Sequence, residues 1–196
     1  MIPEWGTLAL SLALILSAAS ASLGLWGDRL PAALALRFIE RTTLGVFIAL
    51  GVAFAILVEA LVTHDFSVVY VAKNSNTELP LMYCVAAAWG AHEVSLLLWA
   101  LLLSLWSVLV WFFSRSLPEG FRLKVLGVLG LVQLGFLLFT LLTSSPFERN
   151  AVVPLEGADL NPILQDPALA LHPPLLYMGY VGTAVAFAFA IAAMLT

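Results

Sequence analysis

Five long apolar stretches alternate with shorter polar segments along the chain. A helix that crosses a membrane needs about 20 consecutive, mostly apolar residues, and each stretch comes close to that length. The stretches lie at about 7–26, 42–62, 95–113, 125–142 and 173–195. This pattern predicts an all-α, polytopic integral membrane protein with about five transmembrane helices, which form a single transmembrane region over residues 1–196.

The distribution of basic residues predicts the orientation of these helices, because short cytoplasmic loops carry an excess of Lys and Arg. Six basic residues lie in two of the connections, and the other two connections carry one each. The first group is Arg29, Arg37, Arg41, Arg115, Arg122 and Lys124, and the remaining two are Lys73 and Arg149. The N-terminus and segments 64–94 and 144–172 are therefore expected outside, with short interfacial helices in the external segments. The C-terminus is expected inside.

Composition excludes several classes of protein. Apolar residues make up 62% of the chain and charged residues only 10%, whereas soluble domains carry about 25% charged residues. The first charged residue is Glu4, so the N-terminus lacks the basic region of a signal peptide. The few, scattered Lys and Arg residues form no nucleic-acid-binding surface. The single cysteine, Cys84, allows no intrachain disulfide and is interpreted as a small packing residue.

The C-terminal end predicts a longer protein. The chain stops directly after its fifth apolar stretch, without a basic cytoplasmic flank. We therefore expect it to be the N-terminal fragment, or one subunit, of a larger membrane protein.

His172 is the first candidate for chemistry, because Pro173 and Pro174 follow it directly before the fifth apolar stretch. Proline suits the first turn of a helix and pushes the preceding residue to an extended conformation. His172 is therefore expected at the cap of the fifth transmembrane helix, where the positive end of the helix dipole disfavours imidazolium. A neutral imidazole can ligate a metal or haem iron. The alternative is an interfacial cap histidine that is hydrogen-bonded to backbone.

Other ionisable residues also lie near the expected membrane surfaces. His92 and Glu93 open the third span and could ligate, shuttle protons or bind a partner, although a first-turn Glu also complements the helix dipole. His64 follows the second span, and Glu59 lies one turn from its outer end. Arg37, Glu40 and Arg41 are expected just before the second span as a lipid-contacting anchor.

Several segments of the sequence resemble those of one known family. They are "VAKNSNTELPLMY", "AWGAHEVSLLLW", "TSSPFER", "DLNPILQDP" and "LHPPLLYMGYVG". In this order, and together with the opening "MIPEWGTLALSLAL", they resemble the N-terminal part of the cytochrome c-type biogenesis family of haem lyases, the CcmF family. The resemblance covers nearly the whole chain. Ala91 and Val94 stand where the family word usually has glycine, and Ser145 stands where the family usually has Asn.

The resemblance implies a multi-pass protein of the bacterial inner membrane that takes haem from a haem chaperone. Haem is then attached to the CxxCH cysteines of apocytochrome c outside the membrane. The family histidine in the "HPPLLYMGY" word maps onto His172 and implies an axial ligand to haem iron. Asp166 and Tyr177 are possible pocket groups for the delivered haem b.

The remaining expectations from the family concern groups and proteins beyond this chain. The second axial ligand and a structural haem would belong to the C-terminal remainder of the protein. A subunit that reduces or delivers the apocytochrome thiols is a further expected partner, and membrane lipid surrounds the helices.

Three functions remain open from the sequence. The chain is either part of a haem lyase or a non-catalytic scaffold subunit of a complex that handles or transports haem. A proton-translocating transporter ranks last, because such proteins need paired ionisable residues within the spans, and only Glu59 qualifies.

Overall fold

The computed structural model describes residues 2–27 and 30–196, so that Arg29, one of the basic residues used for orientation, lies outside the described residues. Five helices are long and apolar enough to cross a membrane, which confirms the predicted all-α, polytopic architecture. They are α1 (Ile2–Trp26), α2 (Ala32–Val62), α5 (His92–Phe113), α6 (Glu119–Thr143) and α7 (Pro167–Leu195). The two short helices α3 (Val69–Asn74) and α4 (Leu81–Ala86) lie between α2 and α5.

Two long helices begin well before the apolar stretches that predicted them. Helix α2 begins after Pro31, and helix α6 begins after Pro118. Hydropathy locates only the part of a helix inside the hydrocarbon layer, whereas the hydrogen-bonded helix extends into the polar interface. The placement of Arg37, Glu40 and Arg41 before the second helix was therefore wrong, since all three lie on α2.

The start of α7 also differs from the prediction. The helix begins at Pro167 rather than Pro173, and both Pro173 and Pro174 lie inside it. His172 is therefore not a cap residue, and the prediction that it stands just outside the helix was wrong. The helix dipole acts mainly on the first turn, and His172 lies beyond that turn.

Helices α1, α2, α5 and α6 pack together, and α7 lies at the edge of this group against α5 and α6. Small residues let α1 and α6 approach closely, as is common in membrane helix pairs. A Cβ added at Gly127 would lie 2.5 Å from the Cα of Gly24, and one added at Gly130 would lie 2.8 Å from the Cβ of Ser20. Helices α1 and α6 are therefore in close contact along this stripe of small residues.

The connections at the end of the helices that the basic residues predict to lie outside, named the outer end, form one layer over the helices. The N–H of Val69 donates to the carbonyl of Glu148 at 2.8 Å, and the N–H of Ala158 donates to the carbonyl of Ala72 at 2.8 Å. Arg149 also lies 2.7 Å from the carboxylate of Glu4. The α2–α5 and α6–α7 connections and the start of α1 thus support one another at the outer face.

Candidate functional site

Asp166 directly precedes the first turn of α7 as its N-cap residue. Its Oδ1 accepts hydrogen bonds from the N–H groups of Ala168 at 2.9 Å and Leu169 at 3.1 Å. Asp followed by Pro at the first helical position is a strong helix start, because the carboxylate caps free N–H groups and proline lacks one. Asp166 thus has a structural role as the N-cap, and its assignment to a haem pocket remains a prediction.

His172 lies in the second turn of α7 and is exposed. Ala170, two residues earlier, is 2% exposed and faces the other helices. Because residues two apart differ by about 200° around an α-helix, the imidazole faces away from those helices. Among the described residues, no hydrogen bond, ion pair or ring contact involves this ring, so it is not the backbone-bonded histidine of the alternative interpretation.

An apolar groove of about 450 Å³ adjoins this turn. Helix α4 forms one side of the groove, Trp89 lies between the helices, and Leu171, the residue before His172, lies on the α7 side. Exposed apolar side chains such as Leu81 and Met82 contribute to its surface. The groove suits a flat, apolar group or a lipid chain rather than a polar ligand.

Tyr177 lies on a different side of α7 from His172. Its ring centroid is 5.6 Å from that of Trp99 on α5, which in turn stacks on Phe136 of α6 at 5.3 Å. Tyr177 therefore belongs to the contact between α7 and its two neighbours. Its role in a haem pocket remains a prediction.

His92 and Glu93 open α5 as predicted, but they face separate surroundings. The His92 ring meets Phe139 edge-on at 6.1 Å. Glu93 lies with Tyr70 in a small polar pocket, where burial raises the pKa of the Tyr70 phenol and the Glu93 carboxylate adds to the increase. In the described part of the chain, no hydrogen bond or ring contact joins either residue to His172.

The remaining histidine, His64, lies in the turn after α2 with a positive φ of 53°. Its Nδ1 is 3.4 Å from the Oγ of Ser75, which places it inside the outer layer. Glu59 is exposed near the outer end of α2. Within residues 2–27 and 30–196, no three His, Cys, Asp or Glu side chains converge as a metal site.

A polar cluster inside the helix bundle was not anticipated from the sequence. Gln133 is 2% exposed, and neither its amide nitrogen nor its amide oxygen has a hydrogen-bond partner among the described residues. The Oγ of Ser17 is unpaired in the same way, and both side chains line a cavity of about 10 Å³. In the sequence, the only indication of this cluster is a single Gln within the apolar run of α6. The neighbouring residues do not show which helices surround it.

Comparisons with known proteins agree with this architecture. The sequence profile of the family described as "Cytochrome C assembly protein" matches residues 89–196, more than half of the chain. The chain is 54% identical to the cytochrome c-type biogenesis protein CcmF of Pseudomonas aeruginosa and 51% identical to that of Escherichia coli K12. Each match covers 100% of this chain and 30% of the relative.

A solved structure, described as the cytochrome c heme lyase CcmF, has the same fold. It superposes with a TM-score of 0.85 at 33% sequence identity, covering 99% of this chain and 30% of that one. The chain thus spans about a third of the length of these relatives. It is a multi-pass protein of the bacterial inner membrane, and it belongs to the CcmF family of cytochrome c-type biogenesis proteins, corresponding to the N-terminal part of that family.

Proposed function

We propose that this chain forms part of a cytochrome c haem lyase and supplies His172 as one axial ligand to the haem that is being attached. The observation that carries the proposal is the exposed imidazole near the outer end of α7, which has no protein partner among the described residues. Neutral imidazole is a common axial ligand of haem iron. The apolar groove is lined by Ala170 and Leu171 on α7, so it lies on a different side of this helix from the imidazole and is not needed for the proposal.

The reaction itself requires little from this chain beyond positioning. A cysteine thiol of the CxxCH sequence adds across a haem vinyl group, which forms one C–S bond and one C–H bond without a net change in oxidation state. Holding the iron at a fixed depth keeps the vinyl groups near the thiols, and such proximity can supply a large share of a rate enhancement. Cys84 is buried and lies outside this chemistry.

The orientation of His172 argues for a site completed elsewhere. The ring faces away from the helices of this chain, and neither His64 nor His92 contacts it within the described residues. Because the imidazole faces away from the other helices, a second axial ligand would come from outside residues 1–196. The haem chaperone, the apocytochrome and a subunit that delivers it would approach from the same outer face.

The proposal is tested in the full-length protein with His172→Ala. We expect the variant to reach the membrane at normal abundance but to lose cytochrome c maturation and the bis-histidine haem spectrum. External imidazole should restore part of both, because it can occupy the vacated ligand position. The matched control is His92→Ala, which removes the other exposed histidine at the outer face and should keep maturation.

A second experiment separates the lyase from the scaffold interpretation. The chain is expressed alone and together with the C-terminal remainder. Haem bound as a bis-histidine complex only in the combined protein supports a divided site. Normal maturation by His172→Ala would refute the ligand assignment and leave the scaffold role as the better description.

A further inference from the structure

The two prolines inside α7 leave backbone carbonyl groups without their helical partners. In an α-helix, the N–H of each residue donates to the carbonyl four residues earlier. Pro174 has no N–H, so the carbonyl of Ala170 cannot receive the bond that an ordinary residue would supply. Ala170 is buried, and a buried carbonyl without a donor is costly, especially near a membrane.

Trp89 supplies the missing donor. Its indole Nε1 donates a hydrogen bond of 2.7 Å to the carbonyl of Ala170, across 81 residues of sequence. The indole therefore bonds to the carbonyl that Pro174 leaves free.

The backbone around Trp89 is held firmly. Trp89 ends the 3-10 turn Ala87–Trp89 directly before α5, and its carbonyl accepts a bond of 3.1 Å from the Oγ of Ser95 on α5. A Cβ added at Gly90 would lie 3.1 Å from a methyl carbon of Leu164, so the layer that precedes α7 also packs closely on this turn. Trp89 can thus transmit the position of α5 to the start of α7.

We propose that Trp89 is a positioning residue for His172, acting through the carbonyl that Pro174 frees. His172 lies two residues after Ala170 on the same helical turn, so its height and rotation follow those of Ala170. The inference rests on the proposed role of His172 as a haem ligand. Pro174 then has a specific purpose, since it makes the start of α7 depend on a donor from the turn that precedes α5.

Trp106 provides a matched control on α5 itself. Its indole Nε1 donates a bond of 3.1 Å to the carbonyl of Met178. The residue four positions after Met178 is Gly182, which has an N–H and can satisfy that carbonyl within the helix. Loss of the Trp106 bond therefore leaves no unpaired carbonyl, whereas loss of the Trp89 bond does.

The test is a double-mutant cycle in the full-length protein with Trp89→Phe, Pro174→Ala and the combined variant. We expect Trp89→Phe to weaken haem binding about fivefold or more, the effect of one lost hydrogen bond to a buried group. It should also shift the midpoint potential and the electron paramagnetic resonance signals of the bis-histidine haem. In the Pro174→Ala background the same change should have a much smaller effect, because an alanine at this position restores the helical N–H. Trp106→Phe should change neither property.

A second variant and a second measurement make the outcome decisive. Replacing Trp89 with benzothienylalanine removes only the N–H and keeps the ring shape, so it should reproduce the effect of Phe. The inference would be overturned if Trp89→Phe weakened haem binding equally with and without Pro174. It would also be overturned if Trp106→Phe weakened haem binding as much as Trp89→Phe. Thermal stability of the same variants reports the hydrogen bond without haem. The positioning role would be overturned if Trp89→Phe and Pro174→Ala were coupled in thermal stability but Trp89→Phe left the haem signal unchanged. If His172→Ala abolished the haem signal in the same protein, the proposed function would remain intact.

Discussion

Arg122 on α6 forms an ion pair with Glu40 on α2, with its Nη2 at 2.9 Å from the carboxylate Oε1. The Arg122 side chain is 8% exposed and that of Glu40 is 24% exposed. The same guanidinium donates to the carbonyl of Trp111 and to the Oγ of Ser114, both at 3.4 Å. One buried arginine thus joins the inner ends of α2, α5 and α6.

Removing the partner of this arginine should destabilise the protein strongly. Glu40→Ala leaves a largely buried guanidinium without a counter-ion, and such losses cost about 3 kcal/mol or more. Thermal or denaturant unfolding in detergent micelles measures the effect. Arg41→Ala is the control, because Arg41 is exposed on the same helix and should change stability by only a few tenths of a kcal/mol. Equal stability of the two variants would contradict a structural role for the pair.

The close contact between α1 and α6 predicts a steep cost for one added methyl group. Gly127→Ala places a Cβ against the backbone of Gly24, which cannot move aside like a flexible side chain, so we expect a loss of about 1–3 kcal/mol. The measurement is the unfolding temperature in micelles. Gly135→Ala on the same helix has open space around its Cβ and should be neutral or stabilising. A neutral Gly127→Ala would show that the two helices are farther apart than described.

Gln133 predicts a gain of stability on substitution. Its amide lies buried without a described hydrogen bond, and replacing it with an apolar side chain of similar size removes a desolvation penalty of about 1–3 kcal/mol. Gln133→Leu should therefore raise the unfolding temperature. Leu137→Gln is the reverse control one turn further along α6, where a fully buried leucine should tolerate the amide poorly. A loss of stability in Gln133→Leu would indicate that the amide is bound by ordered water in the adjoining cavity.

The contact between the α2–α5 and α6–α7 connections predicts that the stability of the outer layer depends on pH. Thr77 donates from its hydroxyl to Glu156 at 2.7 Å and from its backbone N–H at 3.0 Å, and the hydroxyl bond is the main reason that the pKa of Glu156 is lowered. A carboxyl group with a depressed pKa stabilises the folded layer above its unfolded pKa, and this contribution disappears as the pH falls through the lower folded value.

Thr77→Val should raise the pKa of Glu156 toward the ordinary carboxyl range. Titration of ¹³C-labelled glutamate by NMR measures the change. Thr63→Val serves as the control, because the Thr63 hydroxyl donates to the carbonyl of Glu59 at the end of α2. An unchanged Glu156 titration in Thr77→Val would show that this hydrogen bond does not determine the shift.

The number and type of the membrane helices could be predicted from the sequence because apolar runs of about 20 residues have few alternatives in a bilayer. The start of α2 was misplaced because the hydropathy pattern marks only the part of a helix inside the hydrocarbon layer. The start of α7 was misplaced because it was predicted from Pro173 and Pro174, which lie inside the helix. For α7, Asp166 and Pro167 carried the local signal of a helix start.

The sequence by itself determined the membrane architecture and singled out His172, because a histidine before two prolines is a local feature. The tertiary structure decided which side of α7 that histidine occupies and which groups support it. The bond from Trp89 to Ala170 and the ion pair between Glu40 and Arg122 each join residues more than eighty positions apart. Such contacts depend on how the helices pack, and a pattern of neighbouring residues contains no information about the distance between two helices or their rotation.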